Sequence, residues 1–248
     1  MYVTKNRHAY VKLQQLIRTG RVAPGDPLPL RPTARRLGMT VSTVQAAIRR
    51  LEQDGLVETV VGWGTRVAQP SLDDVRGEYL LRRAIECEAA AIAAENMDDT
   101  LAGRLVELAR EADAQADAQA DAPKDERDIR RYVEADCALH LAIAQASGVK
   151  RLVEELGKLH LRSMMWRNTT ETVDLPQGRH RPLVDAVLSG DTERAKAVMR
   201  SHITVAMEYE LRALQLSRAR KSSLSVGECH DTGTKQMREE QDGFEETP

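Results

Sequence analysis

The sequence predicts a mainly α protein in two parts: an N-terminal winged helix-turn-helix of three helices plus a small β-hairpin, then a C-terminal antiparallel helical bundle. Three observations carry this expectation. Residues 31–57 hold two short helical patterns on either side of Gly38, the layout of a helix-turn-helix. Two runs rich in β-branched residues, 58–61 and 65–68, then flank Gly62-Trp63-Gly64, which reads as a hairpin around a glycine turn. From Ser71 to about residue 216 the chain is dense in helix formers, interrupted by glycine, proline and capping residues, with no strand pattern.

In order along the chain, Tyr10, Leu13, Leu16 and Ile17 place an apolar stripe on a first helix that stops near Gly20, and Pro24-Gly25-Asp26-Pro27 is a turn. Pro32 suits the first turn of the next helix, and Gly38 suits the left-handed residue after it, where the missing Cβ removes a steric penalty. Thr40 or Ser42 can cap the second helix of the motif, whose Val44, Ala47, Ile48 and Leu51 fall on one face. Gly55 closes that helix. Ser42, Gln45 and Arg49 lie off the apolar face, where a recognition helix meets the major groove. The hairpin that follows is a wing, with Arg66 beside its tip.

Charge supports the same division. Residues 1–69 hold 11 Lys/Arg against 4 Asp/Glu, a net +7, whereas the remainder carries −9 within an overall charge of −2. The first part has the electrostatic footprint of a polyanion binder and the second does not. Cys87, Cys137 and Cys229 are scattered without metal-binding or redox spacing, and the N-terminus lacks an apolar signal region. These features point to a reduced cytoplasm. No stretch approaches the roughly 20 apolar residues that span a bilayer, so no membrane partner is expected.

The order of Tyr10, Leu16-Ile17, Gly20, Pro24-Gly25-Asp26, Leu28-Pro29, Leu37-Gly38, Val44, Ala47, Leu51 and Gly55-Leu56-Val57 resembles the winged-helix domain of GntR-type transcription regulators. The resemblance covers the whole first domain and implies double-stranded DNA with a palindromic operator as partner. The expected DNA-contacting residues are Arg31, Arg35, Thr40, Val41, Ser42, Thr43, Gln45 and Arg49, joined on the wing by Gly62, Gly64 and Arg66. Val41 and Gln45 stand where that family usually has arginine. Arginine forks onto guanine, glutamine prefers adenine, and valine can touch only a thymine methyl. The half-site is therefore expected to differ from the family's usual one.

Beyond Pro70, Ser71 is the expected N-cap of a long helix reaching Asn96. Asp98 and Asp99 open a second helix, which runs into the Ala/Asp/Gln repeat of residues 112–122. With little to bury, that repeat is expected to be an exposed extension or loop rather than a site. Further helices fit about 126–146, 149–169, 179–189 and 192–216, with breaks at Gly148, Pro176-Gln177-Gly178 and Gly190-Asp191. The expected domains are thus 1–69 for DNA, 70–217 for effector binding and dimerisation, and a polar 218–248 tail without apolar period, read as disordered.

Asp136 and His140 stand four apart and project from one side of a helix, which makes half a metal site. His180 and His202 lie ten residues before and twelve after Gly190, which joins their helices. At the helical rise both sit roughly 15–18 Å from the turn, level with one another in an antiparallel hairpin. One carboxylate and three imidazoles suit Zn2+, with Ni2+ or Mn2+ as alternatives. The segment from Leu81 to about Leu211 resembles the FCD ligand-binding domain of the FadR-type branch of the GntR family. That resemblance implies the same four residues as ligands, matches Arg82 and Glu86 to the motif of the domain's first helix, and matches Gly190-Asp191 to the turn before its last helix. Arg82, with Arg162 from a facing helix, is the candidate to pair with a small carboxylate effector. His8, His160 and His230 fall outside the pattern and are expected to be ordinary surface or core residues.

The reading that follows is a dimeric transcription regulator, in the sense of a repressor, whose operator affinity responds to a small organic acid at a metal site. The alternative is a metal-dependent enzyme with an accessory DNA-binding module. Against it, the sequence has no His-Glu-x-x-His, no nucleophile elbow, no phosphate loop and no evident general base near the ligands.

Overall fold

The computed structural model describes residues 5–121, 129–167 and 179–239, with Trp166 and residues 220–239 described as backbone alone. The chain runs α1 (Lys5–Arg18), α2 (Leu30–Leu37), α3 (Val41–Gln53), β1 (Val57–Val60), β2 (Gly64–Val67), α4 (Leu72–Glu95), α5 (Asp99–Asp121), α6 (Ile129–Ala146), α7 (Lys150–Arg167), α8 (His180–Leu188) and α9 (Thr192–Glu239).

The first three helices form as their sequence directs. Ala9, Leu13 and Ile17 of α1 are fully buried against Val44, Ala47 and Leu51 of α3. Each such side chain contributes about 1.5–3 kcal/mol by leaving water, alanine less. Gly38 ends α2 in the left-handed conformation, its N–H reaching back to Ala34 and Arg35 carbonyls. Thr40 caps α3 by accepting from Thr43 N–H at 3.3 Å. The wing's strands lie one residue earlier than the sequence suggested, because Val57 and Val67 are both buried and pair opposite each other. Its base is tied to the domain by Leu28 N–H to the Thr65 carbonyl at 2.8 Å and Val67 N–H to the Asp26 carbonyl at 2.9 Å.

α4 begins at the expected cap. Ser71 accepts from Asp74 N–H while the Asp74 carboxylate accepts from Ser71 N–H, a reciprocal arrangement that stabilises a helix start by about 1 kcal/mol. α4 packs most extensively along α9, and α5, α6, α7 and α8 close the bundle around it. The alanine-rich face of α4, with Ala90 and Ala93 fully buried, allows close helix approach.

Two expectations change. The 112–121 repeat is not an exposed extension: Leu105, Ala109, Ala112 and Ala116 of α5 are buried, so its alanines form a thin apolar stripe against α6 and α8. The segment after Ser217, expected to be disordered, is helical as far as Glu239, no proline interrupting the continuation of α9. Residue 122, the expected helix start at 126 and the break at Pro176-Gln177-Gly178 lie outside the described residues.

The two domains share one apolar core, in which Val75 and Tyr79 of α4 join the cluster built by α1, α3 and the wing base. Polar contacts also cross the seam. Arg18 of α1 pairs with Glu134 of α6, and Arg162 of α7 pairs with Glu78 of α4 while its Nη1 lies 3.5 Å from the Asp54 carbonyl at the end of α3.

Candidate metal centre and nucleic-acid interface

Asp136, His140, His180 and His202 come together, all buried, with one ligand atom from each within 4.8 Å of every other. α6 supplies the first pair from one face, α8 supplies His180 at its first residue, and α9 supplies His202. The level placement of the last two follows from the antiparallel packing of α8 on α9, and their rings lie 5.1 Å apart.

The remote nitrogens of two rings are held by carboxylates. His140 Nδ1 bonds Glu86, and His180 Nδ1 bonds Asp113 at 2.7 Å. Burial works against the charge on Glu86, but Arg82 and His140 hold its carboxyl well below the usual range. Burial likewise opposes charge on Asp113, yet its bonds to His180 lower it. An ionised carboxylate only accepts, so both Nδ1 atoms donate and each Nε2 is aimed inward. This carboxylate–histidine arrangement is how metal-binding imidazoles are oriented.

What the Nε2 atoms meet is a test of fit. His140 Nε2 lies 3.0 Å from His202 Nε2, and His180 Nε2 lies 3.2 Å from Asp136 Oδ1. Burial, together with His140 and Arg179, keeps His202 well below the usual imidazole value and so neutral. His180 goes the other way: burial disfavours its charge, but Asp113 and Asp136 raise it. Without a metal, a proton must sit among converging lone pairs. A divalent ion replaces that proton with one bond to each group, and the donor set fits it.

Around the cluster lies a shell of buried polar groups. Arg82 Nε donates to Glu86 at 2.7 Å, and Arg167 pairs with Asp136 at 3.0 Å and with Glu210 at 3.2 Å. Burial pushes the Glu210 carboxyl up to about 7 against the pull of Arg167. Tyr79 Oη, Ser163 Oγ, His160 Nε2 and Glu210 Oε1 are buried without a hydrogen-bond partner among the described residues. Each such group costs about 1–3 kcal/mol, a cost that a bound polar molecule removes. His160 is thus neither a surface residue nor a satisfied core one. Its ring lies 6.1 Å from that of His140, and its Nε2 is 3.9 Å from Glu86, beyond hydrogen-bonding reach.

The structure keeps Arg82 beside the cluster but moves Arg162 away from it. Arg162 is not brought to the cluster: it points to the seam, with Glu78 and the end of α3, while the buried face of α7 carries His160, Ser163 and Arg167. Their spacing of three and four was readable as a helix face. Sequence reasoning missed Arg167 and Asp113. Asp113 also accepts from the backbone N–H of His180 and Arg181, so it anchors the start of α8. His8 is exposed, as expected, and the His230 side chain lies outside the described part.

On the DNA side, Arg31, Arg35, Thr40, Val41, Ser42, Gln45 and Arg49 are exposed on α2 and α3, as are Gly62 and Gly64 on the wing. Thr43 is not available: it is buried, and its hydroxyl accepts from Thr40 at 2.8 Å, because it belongs to the inward face of α3. Arg66 is only half free, its Nε bonded to Glu58 across the hairpin at 2.8 Å.

A helix-turn-helix with a wing, fused to a helical bundle that buries a polar cluster, defines a class of DNA-binding regulators. Residues 5–67 match the gntR family of bacterial regulatory proteins, and residues 79–205, more than half of the chain, match the FCD domain. The chain belongs to the GntR family and carries an FCD domain, and it is a transcription regulator rather than an enzyme. It is 27% identical over 207 residues to the "Uncharacterized HTH-type transcriptional regulator in unstable DNA locus" of Streptomyces ambofaciens, covering 81% of this chain and 82% of that one. It is also 27% identical to the "Probable D-xylose utilization operon transcriptional repressor" of Paenarthrobacter nicotinovorans, over 75% of this chain and 80% of that one. Its fold is similar to the crystal structure of a transcriptional regulator GntR from Rhodococcus sp. RHA1, with TM-score 0.69, 22% identity, and 85% of this chain and 99% of that one covered. No described helix is long and apolar enough to cross a membrane.

Proposed function

We propose that Asp136, His140, His180 and His202 hold one divalent metal, Zn2+ first and Ni2+ or Mn2+ as alternatives, and that a small organic acid bound beside it is the effector of a homodimeric, cytoplasmic repressor. The observation that carries this reading is the convergence of three imidazoles and a carboxylate, two of the rings being already fixed at their outer nitrogens, His140 by Glu86 and His180 by Asp113. When bound, the metal supplies a Lewis-acid anchor for a carboxylate. The chain's own part is to surround that anchor. Arg82 and Arg167 offset the anion's charge, Tyr79 and Ser163 offer hydroxyls, and the bundle excludes water, which strengthens each contact.

Effector binding then biases how two winged domains are held over a palindromic operator. The test is direct. Protein purified without a histidine tag carries about one ion per chain, and an acid that changes operator affinity is recovered chemically intact. Metal-free folded protein, or an acid returned as a different compound, overturns the reading.

A further inference from the structure

The wing tip does not have the character of a phosphate-binding finger. Val61 is 97% exposed and Trp63 83% exposed, the two most exposed large apolar side chains among the described residues. Between Val60 and Thr65 the tip reads Val61-Gly62-Trp63-Gly64, with no charge. The nearest cation, Arg66, is bound back onto Glu58, its cross-strand partner. Gly62 and Gly64 both take positive φ, +81° and +78°, and nothing lies within 4 Å of a Cβ built on either. The Trp63 N–H closes the turn on the Val60 carbonyl at 3.0 Å. Two left-handed residues thus turn the backbone on either side of one indole, while the hairpin base stays anchored through Leu28, Asp26 and buried Val67.

An indole this exposed forgoes a large apolar burial, which marks a surface made for a partner. The wing continues the DNA interface: it follows α3 through Leu56, in the domain of net charge +7. We propose that Trp63, backed by Val61, is an apolar wedge for the DNA minor groove, and that it recognises the operator by opening a base step rather than by reading a base edge. B-DNA's minor groove is about 6 Å wide, which admits a planar ring edge-on. Apolar side chains placed there partly unstack a step and bend the duplex toward the major groove. Pyrimidine–purine steps yield most easily. The wedge therefore selects operators with a TA or CA/TG step under the wing, at a position that hydrogen bonding leaves unread.

The experiment uses the full-length protein and a duplex selected by that protein from a random library, so that failure to bind DNA at all is separated from failure of the wedge. Trp63→Ala is expected to weaken binding about tenfold, a factor of 1.4 kcal/mol, with an unchanged salt slope because no phosphate contact is lost. It is also expected to straighten the complex, judged by the mobility of circularly permuted fragments. Trp63→Phe keeps most of the affinity and the bend. Replacing the step under the wing by GC weakens the parent but not Trp63→Ala. The tip is solvent-exposed, so metal content and melting temperature stay at parental values, and a variant that departs in either is replaced as the reference by Trp63→Phe. The proposal is overturned if Trp63→Ala binds and bends the operator as the parent does, if its loss appears only as a flattened salt slope, or if its effect is on subunit association alone.

Discussion

The two domains place their chemistry on opposite sides of the protein surface. In the winged domain the core is almost wholly apolar, with Thr33 and Thr43 the polar side chains buried among its described residues, while Arg31, Arg35, Gln45, Arg49 and Trp63 face water. In the helical domain Arg82, Glu86, Asp136, His140, His160, Arg167, His180, His202 and Glu210 are all buried. On the proposed function, the contrast follows from the size of what each domain would bind. DNA brings its own dense charge and cannot enter a core, so exposed side chains suffice and cost the fold little. A small anion must be distinguished by desolvation, so its receptor is assembled inside, where each unpaired group weakens the apo fold. One domain can be altered without unfolding it; the other links binding to stability.

The contrast is broken most severely at the cluster. His202→Ala removes the imidazole that α9 contributes to the cluster and with it the contact to His140 of α6. Metal content should fall to background, and the melting midpoint should drop as the metal's linkage to folding is lost, a loss of about 2.7 kcal/mol of stability at 100-fold saturation. Atomic absorption and calorimetry on the same sample check both. Retained metal with an unchanged midpoint would remove His202 from the site.

Next in size is Asp113→Ala, which touches no metal ligand atom's inner side. It frees the Nδ1 of His180 and the start of α8, and loss of such an outer partner costs about 10–100-fold in metal affinity. A chelator competition that gives parental affinity would reduce Asp113 to an ordinary cap.

On the exposed side the effects are confined to DNA. Gln45→Arg should shift preference toward guanine at one base pair by about 1–3 kcal/mol, with folding untouched. Selection from a random library reads this out, and an identical consensus for parent and variant would show that Gln45 reads no base. The smallest effect is expected from Arg66→Ala. Its pair with Glu58 is half exposed, worth at most about 1 kcal/mol, so the variant should fold normally and bind DNA with a slightly flatter salt dependence. A loss of sequence preference instead would mean that Arg66 reaches a base.

The winged domain was legible in the sequence because each local signal agreed with the next: Gly38, Thr40, the Val44–Leu51 face and the glycine turn all required one topology. The convergence of Asp136, His140, His180 and His202 was legible for a different reason: the first two stand four apart on one helix, helical rise and the turn at Gly190 make the last two level, and the resemblance to the FCD domain joins the pairs. Asp113 was hidden by composition. An Ala/Asp/Gln repeat resembles solvent-exposed helix, and only the spacing of Leu105, Ala109, Ala112 and Ala116 betrays a buried stripe of small side chains. Arg162 was misread because helix periodicity gives a face but not the neighbour across it. The candidate lay one residue away from Ser163, and that rotation of about 100° turned it from the cluster to the seam.

That seam bears on how such proteins can be rebuilt by recombination. Arg162 leaves its Cδ 3.1 Å from where a Cβ at Gly55 would be, and Gly55 itself sits at φ +72° as the stop of the recognition helix. A helical domain carrying this arginine and Glu78 is therefore not a free cassette. Joined to a foreign winged domain, it would seat most readily where that chain also turns on glycine, since a Cβ at that point would make Arg162 give way by a few tenths of an ångström.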